Sequence, residues 1–412
     1  MKDGVHSARQ RLPVVHVTTF PPENCGIGEV IRELVRACDG TRRTVVLANT
    51  VLGRSTQEPF VFQVWRKNDM TYPFRVLSAI RTRVGSKSAI VHVQHHFFLY
   101  GSATTLAEFP LMLFLLKIAG HRIATQLNSV VDFTMLDHDI DKLNLGISHE
   151  FIGSGLRVFY RVVAALSDRI IVWTEAMKKT LVQIYRVTSG KVIAVPLGWR
   201  ISPTVRPEES KRTLSLQDTF LIVFHGFLDP TKGLENLFEA FAEIAPKIPT
   251  AKLFIVGQMS PHLDSRRKNY SAELAATVAR LRLSDRILFT GYVDEDRLTL
   301  YLSAADLFVL PYATVSSAGG SAVLSKVAAF GKPLIASRIS RFSEELRNGE
   351  TALLVTPGSV QELAEAIESL VGDPKLAQRL GEKLRALAIE RSWRRTAETL
   401  ETVYTELEMI RT

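Results

Sequence analysis

Apolar residues along this chain come in short runs rich in Val, Ile and Leu, and between the runs their spacing changes to that of a helix with one buried side. In the first half the runs are "PVVHVTTF", "RTVVLA", "AIVHVQ", "RIATQL", "RIIVWT" and "VIAVPLG"; in the second they are "FLIVFHG", "AKLFIVG", "ILFTGYV", "DLFVLPY", "KPLIAS" and "TALLV". Near-continuous apolar runs suit strands buried on both faces. Their alternation with helical segments predicts parallel sheets covered by helices on both sides, twice over. Between the two sets, "WRISPTVRPEESKRTLS" (199–215) has the Pro, Ser and charge content of a linker. The expected α/β organisation is two doubly wound domains, residues 1–205 and 206–392. A terminal helix over 393–412 is long enough to pack back on the first domain.

Open parallel sheets bind ligands beyond the carboxyl ends of their strands, so the candidate chemistry belongs to strand-end loops and to the cleft expected between two such domains. Three segments fit. In "TTFPPENCGIGEVIRELVRAC" (18–38), Gly26 and Gly28 lie between a strand and a helix, where glycine permits either close ligand approach or close helix packing. The segment lacks G-x-G-x-x-G and a Walker lysine, which weakens dinucleotide and P-loop readings. In "HGFLDPTKGLENLFEAFAEIAPKIP" (225–249), Lys232 and Gly233 open an amphipathic helix. A fixed cation there can stabilise a diphosphate whose charge grows as a bond to it breaks. In "SSAGGSAVLSKVAAFGKPLIAS" (316–337), residues 316–321 read as a small-residue turn feeding a helix N-terminus, with unpaired N–H groups suited to phosphates and sugar hydroxyls.

Composition adds constraints. The 412 residues are 46% hydrophobic and 23% charged, the balance of a folded globular chain. The net charge of +9 belongs to the first half: residues 1–206 hold 26 Lys+Arg against 15 Asp+Glu, and the remainder 25 against 27. That half would attract an anionic membrane or acidic acceptor, or simply be a solvated basic surface. Cys25 and Cys38 are the only cysteines and the N-terminus is polar, so a cytoplasmic location is expected. The longest apolar run, "FPLMLFLLKIAG" (109–120), is interrupted by Pro110 and Lys117. It reads as a buried helix or as one resting on a membrane surface.

Taken together, the three loop segments resemble glycosyltransferase family 4, over nearly the whole chain. "FPPENCGIGEV" is similar to that family's N-terminal glycine loop, "IVHVQHHFFLYG" to a Val-His-x-Gln-His-Glu-Phe segment, and "IAVPLGW" to a Pro-His-Gly turn. "GFLDPTKGLENLFEAF" and "ILFTGYVDEDRLTLYLSAADLFVLPY…AFGKPLIAS" match its donor domain. The resemblance implies the GT-B fold, with acceptor binding in the first domain and a nucleotide-diphosphate sugar as co-substrate in the second. It implies no tightly bound cofactor and no metal.

It also exposes departures. The family's two glutamates in E-x7-E fall on Ala318 and Lys326, its strand-end histidine on Asn128, and a frequent donor-domain arginine on Phe227. Some branches replace the first glutamate by Ser and Gly, which would make Ser317, Gly319, Gly320 and Ser321 the donor cradle. Lys326 cannot accept a ribose hydroxyl's hydrogen, although it can pair with a phosphate or turn outward. By the same resemblance, Lys232 supplies the cation and the backbone from Gly226 to Gly233 supplies donors. Glu344 stands near the family's donor-domain glutamate, and His95 orients acceptor or sugar unless it is structural. Asn128 and His96 fall on the acceptor side.

The implied activity is transfer of a sugar, with retention, to an envelope glycan, a lipid-linked sugar or a small metabolite. The competing expectation is a degenerate subunit that binds or scaffolds another transferase. Two further patterns carry less. "LDHDID" (136–141) places Asp137, Asp139 and Asp141 beside His138, with His149 beyond, and reads as a solvated loop more readily than a metal site. Scattered basic residues without a recognisable motif give no ground for nucleic-acid binding.

Overall fold

The computed structural model describes residues 11–410 except 24, 39, 41, 86–87, 98, 134–148, 201–204, 260–268 and 314–316. In chain order the strands are β1 (Val14–Thr18), β2 (Thr44–Asn49), β3 (Val61–Trp65), β4 (Ile90–His95), β5 (Arg122–Leu127), β6 (Ser129–Val131), β7 (Arg169–Val172) and β8 (Val192–Ala194). They continue as β9 (Phe220–His225), β10 (Ala251–Val256), β11 (Ile287–Gly291), β12 (Leu307–Leu310), β13 (Ser317–Gly319), β14 (Leu334–Ser337) and β15 (Leu353–Val355). Each of the twelve apolar runs contains a strand.

Contacts divide the chain into two units, the described residues of Met1–Gly198, Ser316–Gly320 and Trp393–Thr412 forming one and those of Trp199–Val315 and Ser321–Ser392 the other. The first holds a seven-stranded sheet ordered β3-β2-β1-β4-β5-β7-β8, the second a six-stranded sheet ordered β11-β10-β9-β12-β14-β15. All pairings within both are parallel. Central strands such as β1 and β12 are buried along their whole length. Large cores of Val, Ile, Leu and Phe cover both sheets.

Three elements depart from the sequence reading. β3 was not foreseen because Gln63 interrupts "VFQVW", an edge strand with only its two ends buried. The expected linker is partly structured: Trp199 is buried, and Pro207–Thr213 is a helix with Pro207 in its first turn, Glu208 and Glu209 at its start and Lys211 and Arg212 at its end. The expected turn at 316–321 contains β13, which pairs antiparallel with β6 in the register Ser317↔Val131, Ala318↔Val130 and Gly319↔Ser129. Three small residues give no strand-like apolar signal; that pairing depends on a partner strand distant in sequence.

The terminal helix Trp393–Met409 belongs to the first unit. Its anchor is Arg42, nearly buried, which binds Glu401 at 2.8 Å and Glu408 at 2.5 Å and donates to Leu12 O at 2.7 Å. Deeper in, Tyr404 OH lies 2.7 Å from His92 Nδ1. His92 sits opposite His16 on β1 with ring centroids 5.1 Å apart. Burial pushes His16 down to about 4 and lowers His92 well below the ordinary imidazole value.

Both rings are neutral in the native state at pH 7, whereas the unfolded chain takes up their protons near pH 6.5, so stability falls as pH drops below that value. His16 alone is expected to remove about 2 kcal/mol between pH 7 and pH 5. Thermal midpoints measured across that range should decline, and His16→Leu should flatten the decline; an unaltered slope would refute the assignment.

Candidate functional site

The second sheet reverses strand order between β9 and β12, and at such a switch point the loops leaving the two strands open a crevice. The loop after β9 is shaped by backbone approach. At Gly226 (φ 140°) the carbonyl oxygen would lie 1.9 Å from a Cβ placed on Gly257, so that position accommodates glycine alone. Asp229 then caps the single 3₁₀ turn Pro230–Lys232, its Oδ1 accepting from Thr231 N at 2.9 Å. Gly233 (φ 65°) starts helix Leu234–Ile244, and a Cβ there would meet Pro311 O at 2.1 Å. Ala313 N donates to Thr231 O at 2.9 Å, so the segments following β9 and β12 are hydrogen-bonded directly.

This packing fixes Lys232. Its Nζ stands 4.1 Å from the Tyr312 ring centroid and 3.9 Å from Asp229 Oδ2, with 15% of the side chain exposed. Tyr312 is braced edge-on against Phe342 at 5.0 Å. The aromatic face and the carboxylate hold an ammonium at the switch point, an arrangement able to receive an anionic oxygen. Tyr312 and Asp229 were missed as site residues; the available signal was an aromatic at the end of "FVLPY" and a capping Asp before Pro-Thr-Lys.

The other second-unit candidates have different surroundings. Ser321 Oγ accepts from Leu324 N at 3.1 Å and caps helix Ala322–Val327. Lys326 Nζ lies 3.6 Å from Glu295 Oε2, and Glu295 also binds Arg200; these charges join Leu298, Leu302 and Phe330 around a small pocket. His225 is lowered to about 4 by burial and by Lys326, and its Nδ1 is 3.0 Å from Val256 O. Glu344 ends the short helix Ser340–Ser343. Its neighbour Glu345 is the perturbed carboxyl, raised to about 7 by burial although Arg391 lies 3.3 Å away and Trp199 Nε1 donates to it at 3.0 Å.

In the first unit the outcome is mixed. Gly26 has open space around it, whereas a Cβ on Gly28 would lie 3.1 Å from Phe20 Cα, so Gly28 packs helix Gly26–Ala37 against the preceding loop. His95, expected to orient acceptor or sugar, is instead a core residue: its ring is fully buried among Phe97, Phe109 and Phe159 at 4.6–5.4 Å, and burial lowers it to about 3. An imidazole so enclosed is neutral at pH 7, and both of its ring nitrogens are buried without a hydrogen-bond partner among the described residues. His96 follows it, half-buried.

Asn128 is held on several sides: Nδ2 donates to Gln94 Oε1 at 2.9 Å and to His95 O at 3.2 Å, while Oδ1 accepts from Trp173 Nε1 at 3.0 Å. Trp173 in turn packs on Gly320, where a Cβ would come within 3.2 Å of it. Gly320 thus serves the first unit's packing, and Ser317 and Gly319 the β13 ladder. That is a correction to the expected turn, because ladder pairing occupies backbone groups that a free turn would offer to a ligand. Residues 136–141 lie outside those described, as does the His149 side chain. Among the described residues no group of three or more His, Cys, Asp or Glu could hold a metal, and no helix is long and apolar enough to cross a membrane.

Comparison with known proteins bears on the fold and on sequence similarity. The GT-B fold is shown by the two Rossmann-like sheets and by structural likeness to the Anabaena protein HepE in complex with UDP-glucose (TM-score 0.71, 16% identity, 96% of this chain and 100% of that one). Sucrose-phosphate synthase from Thermosynechococcus elongatus is similar to the same degree (TM-score 0.73, 19% identity, 97% and 99%). In sequence, residues 205–386 match the family model of glycosyl transferases group 1. A D-inositol 3-phosphate glycosyltransferase from Acidothermus cellulolyticus is 31% identical over 252 residues, 59% of this chain and 54% of its own. An alpha-D-kanosaminyltransferase from Streptomyces kanamyceticus is 25% identical over 203 residues, 49% and 50%. The chain spans about half the length of these curated relatives.

Two glycine substitutions separate structure from binding. Gly233→Ala should cost about 1–3 kcal/mol of stability, from left-handed strain and the Pro311 clash. Gly26→Ala should leave the thermal midpoint unchanged, since nothing lies within 4 Å of its added methyl. Melting curves of both variants check the pair, and equal midpoints would contradict the packing described at Gly233.

Proposed function

We propose that this protein is a glycosyltransferase of group 1 that moves a sugar from a nucleotide diphosphate to a hydroxyl acceptor. The supporting observation is Lys232, an ammonium fixed by Asp229 and Tyr312 at the switch point of the unit that matches the family. In the transfer, the bond from the anomeric carbon to the diphosphate oxygen breaks and negative charge collects on that oxygen. Lys232 stabilises it more strongly than it stabilises the intact donor, which lowers the barrier. Most N–H groups from Gly226 to Gly233 are already bonded, to Val256 O, Gln258 O, Asp229 and Pro230 O. The acceptor hydroxyl forms the new bond on the face the diphosphate leaves, its proton passing to a leaving-phosphate oxygen. Configuration at the anomeric carbon is then retained and no carboxylate nucleophile is required.

UDP is the first donor base to test, given the ligand of the Anabaena neighbour, and a phosphorylated polyol is the first acceptor, given the inositol 3-phosphate relatives. A second reading, a binding subunit that has lost turnover, draws on the pairing of β13 with β6, which commits the segment expected to cradle the sugar.

Thermal-shift titration with UDP, GDP, ADP and dTDP, followed by product analysis with the matching sugar donors, separates the readings. Saturable stabilisation by one nucleotide, abolished in Lys232→Ala, together with turnover lowered about 10²–10³-fold in that variant, is the expected result. Nucleotide binding without turnover would favour the subunit. Undiminished turnover in Lys232→Ala would overturn the role given to the lysine.

A further inference from the structure

We infer that one helical face of the first unit docks on an anionic lipid bilayer. Helix Ala103–Ile118 is apolar on two sides. Phe109, Met112, Leu113 and Leu116 enter the core, which accounts for one side. Leu111, Phe114, Leu115 and Ile118, at helical spacing on the other, are partly or largely exposed, Ile118 by 66%.

The neighbouring helix His149–Leu166 repeats the pattern, with Tyr160 and Val163 buried and Val158 (63%) and Val162 outward. Lys117 Nζ donates to Ala165 O at 3.0 Å, which sets the ends of the two helices together and joins their outward apolar faces. Helix Tyr72–Ala79 packs beside the first through Tyr72 OH and Thr105 O, and it adds exposed Phe74. Scattered single hydrophobics need no explanation; a row of them across adjacent helices does.

Charge selects the occupant. The exposed cations of the three helices, counting the π-helical continuation Ile80–Val84, include Arg81, Arg83 and Lys117 against the partly exposed Glu108. Arg75 is ion-paired with Asp69, Arg157 lies over the Phe133 ring and Arg161 donates to Tyr185 O. Two copies of such a face would repel each other, whereas phospholipid headgroups of opposite sign attract it while the apolar side chains enter the acyl boundary. This assignment is independent of the transfer chemistry, and lipid binding is read without any donor.

The full chain is sedimented with vesicles of phosphatidylcholine alone and of phosphatidylcholine mixed with phosphatidylglycerol, at low and high salt. Binding is expected only to the mixed vesicles and to weaken with salt. Phe114→Ser combined with Ile118→Ser should lower the partition coefficient at least about tenfold at an unchanged thermal midpoint, and Arg81→Glu, at an exposed position, should lower it at low salt, also without moving the midpoint. Absence of binding to mixed vesicles at low salt, or equal binding by the variants, overturns the proposal. So does a dimer that the Phe114→Ser, Ile118→Ser variant splits, which would give the face to a second copy.

Discussion

The contact on which the candidate chemistry depends is a backbone one: the carbonyl of Pro311, after β12, fills the space where any residue but glycine at 233 would carry its Cβ. Strand order reverses there, so the loops after β9 and β12 would ordinarily diverge. Here they are drawn together, by Gly233 against Pro311 and by the Ala313 to Thr231 hydrogen bond, and Tyr312 is carried beneath the Lys232 ammonium. A lysine on a flexible stem would otherwise lose much of its side-chain entropy on meeting an anion. Fixing it in advance removes part of that cost.

A second, polar order runs through the first unit. Trp173 donates to Asn128, Asn128 to Gln94, Gln94 Nε2 lies 3.3 Å from His92 Nε2, and His92 Nδ1 meets Tyr404 on the terminal helix. Burying an amide or imidazole costs least when its polar atoms are paired, and the partners in this series hold their rotamers from the strand ends to the terminal helix. It also explains why Asn128 stands at a strand end: both of its polar atoms are used in holding neighbours.

Much of the fold was legible because buried parallel strands announce themselves as unbroken apolar runs, and the first and second sheets both did so. What the residues did not announce were β3, β6 and β13, an edge strand with a glutamine in it and two three-residue strands that exist only through each other. The site divides along the same line. Lys232 and Gly233 could be read from local turn chemistry, since an Asp-Pro-Thr-Lys-Gly stretch after a strand dictates its own geometry. His95 could not, because whether a histidine at the end of "VHVQ" faces solvent or three phenylalanines depends on Phe109 and Phe159, on elements far along the chain.

Position 326 shows how charge pairing resolves an apparent anomaly. A lysine there looks like the loss of an acceptor for ribose hydroxyls, yet Glu295, opening the helix that follows β11, lies 3.6 Å from its ammonium. The carboxylate in this region is therefore carried by the adjoining helix. Lys326 and Arg200 both neutralise it, and Lys326 also helps keep His225 uncharged at the end of β9. A partly exposed pair of this kind contributes little to stability on its own. Its consequence is positional: Glu295 holds Lys326 and Arg200 together at one small pocket, with Lys326 near enough to bear on the His225 imidazole.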